Sequence, residues 1–126
     1  MRLGNIYEKH KGLDLVYEVE MELIDEVLSP KKGLYMFLGE MEEVLYVGLT
    51  NNYHHRIVTN HKYHTGGFLY HVIHNVVKVL CLSYNGDLKT KEIELIKEYR
   101  PPFNRQYNKP FYRGDDPKYR KKKIGW

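Results

Sequence analysis

Cysteine is nearly absent from this sequence of 126 residues, in which Cys81 is the only one. A single thiol excludes an intrachain disulfide framework and any zinc site that needs several cysteines. No apolar run approaches the roughly 18 residues that a membrane span requires, so we expect no membrane contact. Residues 1–12 also lack the apolar core of a secretion signal. We therefore expect an intracellular, cytoplasmic protein.

Acidic residues are scarce in the last part of the chain, where the excess of positive over negative charge lies. The net charge is +4, and residues 105–126 contain 8 Lys or Arg against 2 Asp or Glu. The candidate nucleic-acid-binding residues are Lys118, Arg120, Lys121, Lys122 and Lys123. Such a run suits a polyanion, whose counterions it displaces. A solubilising or partly disordered tail explains the charge equally well, although the 12 tyrosines slightly favour nucleic acid.

Hydrophobic periodicity and turn residues divide the chain into short elements of both kinds. Residues 15–23 alternate as a strand does, although they also form a helical stripe, and residues 68–73 fit a helix or a strand. The clearer segments are strands at 33–38, 43–48 and 76–83, and helices at about 51–62 and 87–100. The first two of these strands form a hairpin. Apolar Cys81 lies inside the third strand and is expected to be a core residue.

The order of these elements from Gly33 predicts an α+β fold with a β-β-α-β-α core. We expect a short mixed sheet flanked by helices. The predicted division is an N-terminal extension at 1–32 packed on or beside the core, the core at 33–104, and a basic tail at 105–126.

Polar residues and glycines recur at defined places on these elements. The first hairpin strand begins with Gly33-Leu34-Tyr35, and the second ends with Tyr46-Val47-Gly48. Arg56 follows on the next helix. Glu92 lies on the second long helix and begins the pattern E-x-x-L-I-x4-P-x-x-N, which ends at Asn104. Each tripeptide alone is weak evidence, since tyrosine is common in strands. The combined spacing carries the information.

Residues 33–104 resemble the GIY-YIG nuclease family in these motifs and in their order. The resemblance implies a metal-dependent endonuclease that hydrolyses phosphodiester bonds in DNA. It implies that Tyr35 and Tyr46 orient or activate water and that Arg56 stabilises phosphoryl charge. It also implies that Glu92 binds Mg²⁺, for which Mn²⁺ can substitute, and that Asn104 supports the site.

The chemistry of these side chains is consistent with that assignment. Mg²⁺ is usually held by one or two carboxylates together with waters and phosphate oxygens, so Glu92 could be the only protein ligand. Arg56 offers a planar fork of donors that matches a phosphate. A tyrosine hydroxyl can position water, although its ordinary pKa near 10 makes it a weak base at neutral pH.

Two positions depart from the pattern of the family. Several members have a lysine directly after the Y-x-G tripeptide, where this sequence has Leu49. Many also have His or Tyr four residues after the arginine, where this sequence has Asn60. His61 is our candidate for that role, although one residue turns a helix by about 100°. His55 and His64 are the alternatives, and the role could also be absent from this chain.

These departures keep a second function open, a non-catalytic nucleic-acid-binding module on the same scaffold. In either case the expected partner is duplex or branched DNA. We expect no separate recognition domain in a chain of this length, and we therefore expect specificity to come from residues 1–32, the basic tail, a homodimer or a partner subunit.

Overall fold

Four β-strands and two α-helices form in the part of the chain that the computed structural model describes, residues 1–26, 31–57 and 68–120. The elements are α1 (Ile6–Lys9), β1 (Leu13–Glu20), β2 (Gly33–Leu38), β3 (Val44–Thr50), β4 (Lys78–Tyr84) and α2 (Leu88–Tyr99). Short 3-10 turns lie at Met21–Glu26, Phe68–His71, Ile73–Asn75 and Lys109–Phe111, and residues 53–57 form a helical turn. The predicted α+β class is confirmed.

The sheet has the order β1-β4-β2-β3, and all of its neighbouring strands are antiparallel. The prediction of a mixed sheet is therefore wrong. β3 and β4 do run in the same direction, as a crossover connection favours. However, β2 lies between them and pairs with both, so no parallel pair forms.

Two apolar layers cover the two faces of the sheet, because successive strand residues point to opposite sides. On β2, Leu34, Met36 and Leu38 pack in the layer that contains Leu95 and Ile96 of α2. The other layer contains, among others, Tyr35, Phe37, Tyr53, Ile57, Cys81 and Phe103. Cys81 is fully buried, and its burial raises the pKa of the thiol to about 12. It is the core residue that the sequence predicted.

The two ends of helix α2 are set by a side-chain cap at Asp87 and by the backbone conformation of Arg100. Asp87 accepts a hydrogen bond from the backbone N–H of Thr90 at 2.9 Å, as an N-cap residue does. Arg100 ends the helix in the left-handed region, at φ 47°, and two prolines follow it. The helix predicted at 87–100 therefore forms over Leu88–Tyr99.

The other predicted elements are partly confirmed. β1 forms over Leu13–Glu20 and pairs with β4, while the strand expected at 15–23 gives way to a 3-10 turn after Glu20. Residues 68–73 form neither a long helix nor a strand, but short turns. The helix expected at 51–62 is seen as the turn at 53–57, and its remaining residues lie outside the described part.

Residues 105–120 pack against the domain and are not an extended tail. The backbone N–H of Arg113 donates to the carbonyl of Pro102 at 2.7 Å, and Asn75 donates to the carbonyl of Tyr119 at 2.7 Å. The Tyr119 ring meets the edge of Phe103 at 5.2 Å between centroids. None of the described helices is long and apolar enough to cross a membrane.

Candidate active site

The β2–β3 hairpin brings its two predicted tyrosines to the same face of the sheet. Tyr35 is paired with Gly48, and Phe37 with Tyr46. Tyr35 and Tyr46 are therefore diagonal neighbours, and their ring centroids lie 5.9 Å apart. Tyr35 is 1 % exposed, whereas Tyr46 is only partly buried. Of the two hydroxyl-bearing rings, Tyr46 is the one that borders solvent.

The glycines of the two tripeptides make room for tyrosine rings. A Cβ atom at Gly48 would overlap the ring and hydroxyl of Tyr35, which cross directly over this position. A Cβ atom at Gly33 would overlap the hydroxyl of Tyr53, which donates a hydrogen bond to the carbonyl of Leu82. Both glycines are therefore required by close approach of a side chain.

The hydroxyls of Tyr35 and Tyr46 are hydrogen-bonded to each other. Burial raises the pKa of Tyr35 well above its usual 10.0, and the proximity of Tyr46 raises it further. Burial also raises the pKa of Tyr46, although the bond to Tyr35 lowers it in part. Both phenols are thus protonated at neutral pH.

Arg56 lies on the helical turn that follows β3, and its side chain is exposed. Tyr53 and Ile57 are one turn apart on the buried side of this segment and hold it to the core. The backbone N–H of His55 donates to the side chain of Asn52 at 3.0 Å, which caps the turn. The Arg56 guanidinium is close enough to lower the pKa of both Tyr35 and Tyr46.

Glu92 enters the site from α2, which packs against β3 and β2. Its side chain is 12 % exposed, and its Oε1 atom lies 2.7 Å from the Nζ atom of Lys89. The Glu92 carboxylate raises the pKa of both Tyr35 and Tyr46 through its negative charge. The four residues Tyr35, Tyr46, Arg56 and Glu92 therefore form one electrostatic cluster, although they come from four separate segments.

Asn104 lies behind this cluster and contacts the backbone of β3. Its Oδ1 atom accepts from the N–H of Val47 at 2.9 Å, and its Nδ2 atom donates to the carbonyl of Val47 at 2.9 Å. The N–H of Phe103 also donates to the carbonyl of Leu45 at 3.0 Å. Residues 103–104 thus satisfy part of the outer edge of β3, from Leu45 to Val47.

The remaining predicted residues are placed as follows. Lys118 is exposed and lies over the ring of Tyr119 at 5.0 Å, and Arg120 is paired with Asp115 at 3.1 Å. His61, Lys121, Lys122 and Lys123 lie outside the described residues. Leu49, the residue after the Tyr-Val-Gly tripeptide, is partly buried on β3.

Lys89 is the residue at the site that the sequence argument missed. It is three positions before Glu92 on a helix, a spacing at which opposite charges meet, and this signal was present in the sequence. Tyr107 is its other neighbour, since the ammonium lies 5.6 Å from the centre of that ring. Lys89 also lowers the pKa of Tyr46, so a cation reaches this tyrosine although position 49 is leucine.

One carboxylate of this site meets the needs of a divalent metal. Over residues 1–26, 31–57 and 68–120, no three His, Cys, Asp or Glu side chains converge on one point. A site for Mg²⁺ needs only one or two carboxylates, because waters and phosphate oxygens complete its coordination. The mostly buried carboxylate of Glu92 fits that requirement as a single ligand.

The fold is similar to two solved structures of the GIY-YIG N-terminal endonuclease domain of UvrC from Thermotoga maritima. One, bound to magnesium as its catalytic divalent cation, is 19 % identical, with a TM-score of 0.52, covering 66 % of this chain and 92 % of that chain. The other, a point mutant bound to its catalytic divalent cation, is 18 % identical, with a TM-score of 0.52, covering 66 % of this chain and 91 % of that chain. No protein-family model matches the sequence, and no curated protein matches it. At this low identity the likeness establishes a GIY-YIG-type domain fold.

Proposed function

We propose that this protein is a metal-dependent endonuclease that hydrolyses phosphodiester bonds in DNA. The supporting observation is the cluster itself. Two hydrogen-bonded tyrosines, one arginine and one mostly buried carboxylate act on one another electrostatically. A fold shared with a metal-binding endonuclease domain supports the same conclusion. Four residues that are distant in sequence and meet in this way are typical of a site for phosphoryl chemistry.

In the proposed mechanism the two tyrosines act as a hydrogen-bonded pair. Tyr35 is buried and would hold the Tyr46 hydroxyl in place through this bond. Tyr46 borders solvent and would contact the attacking water or a phosphate oxygen. Because burial keeps both phenols protonated, their role is to orient the water. Tyr35 is then a positioning residue for Tyr46.

The charged residues would bind the phosphodiester from two sides. The exposed Arg56 guanidinium can donate two parallel hydrogen bonds to phosphoryl oxygens and offset their growing negative charge. Glu92 would hold the divalent cation. Bound at that carboxylate, Mg²⁺ would supply positive charge near the phosphoryl oxygens and lower the pKa of a coordinated water. Asn104 would keep β3, and with it Tyr46, in register.

A single site of this kind cuts one DNA strand. Cleavage of both strands would need a homodimer, a partner subunit or two successive reactions. Lys118 and Arg120 would add contacts to the phosphate backbone, which position a duplex without reading its sequence. We therefore propose a substrate defined mainly by charge and shape, either duplex or branched.

The test is a cleavage assay on supercoiled plasmid and on a branched DNA, each with and without Mg²⁺ or Mn²⁺. We expect metal-dependent cutting by the wild type. The isosteric variant Glu92→Gln should cut at least about a hundredfold more slowly, because a site for the metal is lost. Glu40→Gln removes the same charge from an exposed turn residue and should cut as the wild type does.

Binding to the same DNA is measured alongside by fluorescence anisotropy. Retained binding with lost cutting in Glu92→Gln would support the proposal. Undiminished cutting by Glu92→Gln would refute the role of this carboxylate. Salt-sensitive binding without any cutting by the wild type would instead favour the non-catalytic module, which the leucine at position 49 keeps under consideration.

A further inference from the structure

The carboxylate proposed to hold the metal is already in contact with a cation of the chain. The Nζ atom of Lys89 lies 2.7 Å from Oε1 of Glu92. This distance is that of a charge-assisted hydrogen bond. The two side chains differ in exposure, since Glu92 is 12 % exposed and Lys89 is 51 % exposed. The lysine therefore contacts the carboxylate from the solvent side.

Two cations cannot share one carboxylate oxygen at contact distance without strong repulsion. A divalent ion that binds Glu92 through Oε1 needs the lone pairs to which the ammonium now donates. The lysine must therefore turn away when the ion binds at that oxygen. Its half-exposed stem allows this movement, and its ammonium lies 5.6 Å from the centre of the Tyr107 ring, beyond hydrogen-bond distance.

We propose that Lys89 competes with the divalent cation for Glu92 and thereby weakens metal binding to the DNA-free protein. This inference rests on the proposed function, since it assumes that Glu92 is the metal ligand. Lys89 is then a positioning residue that covers the carboxylate until a stronger cation displaces it. The opposite possibility is a supporting role, in which Lys89 aligns Glu92 and strengthens metal binding.

The two possibilities predict opposite signs for one substitution, Lys89→Met. Methionine keeps the length of the stem and is a good helix former, so α2 should be preserved. If Lys89 competes, its removal should tighten Mn²⁺ binding by about three- to tenfold, from the lost ion pair and the lost repulsion. If Lys89 supports Glu92, the affinity should fall.

The measurement is direct titration of the full chain with Mn²⁺, with free Mn²⁺ followed by electron paramagnetic resonance and no DNA present. Lys97→Met is the matched control, because it removes the same charge from an exposed position on the same helix. It should change the affinity by less than about twofold, since exposed charges farther away are screened. Lys89→Arg keeps a cation beside Glu92 and should bind Mn²⁺ much as the wild type does.

Each outcome separates the competition from the function on which it rests. Tighter binding by Lys89→Met than by Lys97→Met supports the competition. If Lys89→Met binds Mn²⁺ equally well or more weakly than Lys97→Met, while Glu92→Gln binds Mn²⁺ poorly, the competition is overturned. The proposed metal site is then left intact. Equal binding by Glu92→Gln and the wild type would overturn both proposals, because Glu92 would not be the metal ligand. Circular dichroism of each variant verifies that the helix has formed.

Discussion

The double hydrogen bond between Asn104 and Val47 makes a strong prediction about stability. In Asn104→Ala both partners of the amide are lost, and the N–H and carbonyl of a fully buried residue remain unpaired. Each unpaired buried group costs about 1–3 kcal/mol, and partial entry of water reduces the sum. We expect the free energy of unfolding to fall by about 2–4 kcal/mol, which corresponds to roughly 8–15 °C in Tm.

Equilibrium urea unfolding measures this change as a lower midpoint with an unchanged slope. Asn5→Ala is the control, because Asn5 is exposed and its side chain makes no capping hydrogen bond to α1. It should lose less than about 0.5 kcal/mol. A loss as small as this in Asn104→Ala would refute the assignment of Asn104 as the residue that holds β3.

A second variant tests the direction of the two bonds. In Asn104→Asp the acceptor for the Val47 N–H is kept, but an oxygen replaces the donor that faces the Val47 carbonyl. Two oxygens then repel each other while the introduced carboxylate is charged. Protonation restores a donor, so the stability of this variant relative to the wild type should rise as the pH falls. A pH-independent difference would contradict this geometry.

Two further predictions concern the core beneath the site. Gly48→Ala should lower the free energy of unfolding by about 1–3 kcal/mol or more, because the added methyl group overlaps the Tyr35 ring. Thermal unfolding would measure this loss. A variant as stable as the wild type would contradict the close contact between Tyr35 and Gly48. Cys81 is buried, and its burial raises the pKa of the thiol to about 12. The folded protein should therefore not react with a thiol reagent at pH 8, which mass spectrometry would measure. Labelling at the rate of the unfolded chain would refute the burial.

The local elements were largely predictable, because each is encoded by residues that are close together in sequence. The apolar runs around the turn at 39–42 predicted the β2–β3 hairpin. The Asn85-Gly86 turn and the prolines after Arg100 predicted α2 to within one residue at each end. The segment at 68–73 was ambiguous in sequence, and it forms short turns within the connection from β3 to β4.

The candidate site was predictable as a set of residues but not as an arrangement. Spacing and residue type singled out Tyr35, Tyr46, Arg56 and Glu92, while their roles stay a proposal. The Tyr35–Tyr46 hydrogen bond and the contact of Lys89 with Glu92 depend on side-chain geometry. Spacing alone shows only that residues i and i+3 of a helix can make contact, since both side chains can also point to solvent.

The sequence by itself determined where β2, β3, β4 and α2 lie to within a few residues, since these follow from local periodicity and from turn residues. Only the tertiary structure showed why two glycines accompany the tyrosines, because each glycine makes room for the ring or hydroxyl of a tyrosine on another segment. Only the tertiary structure decided that β2 lies between β3 and β4, which makes every strand pair antiparallel. It also decided that Asn104 bonds to a strand residue 57 positions away. Such contacts join segments that are distant in the chain. Their pairing follows from how the apolar faces of the whole domain pack, which no local pattern encodes.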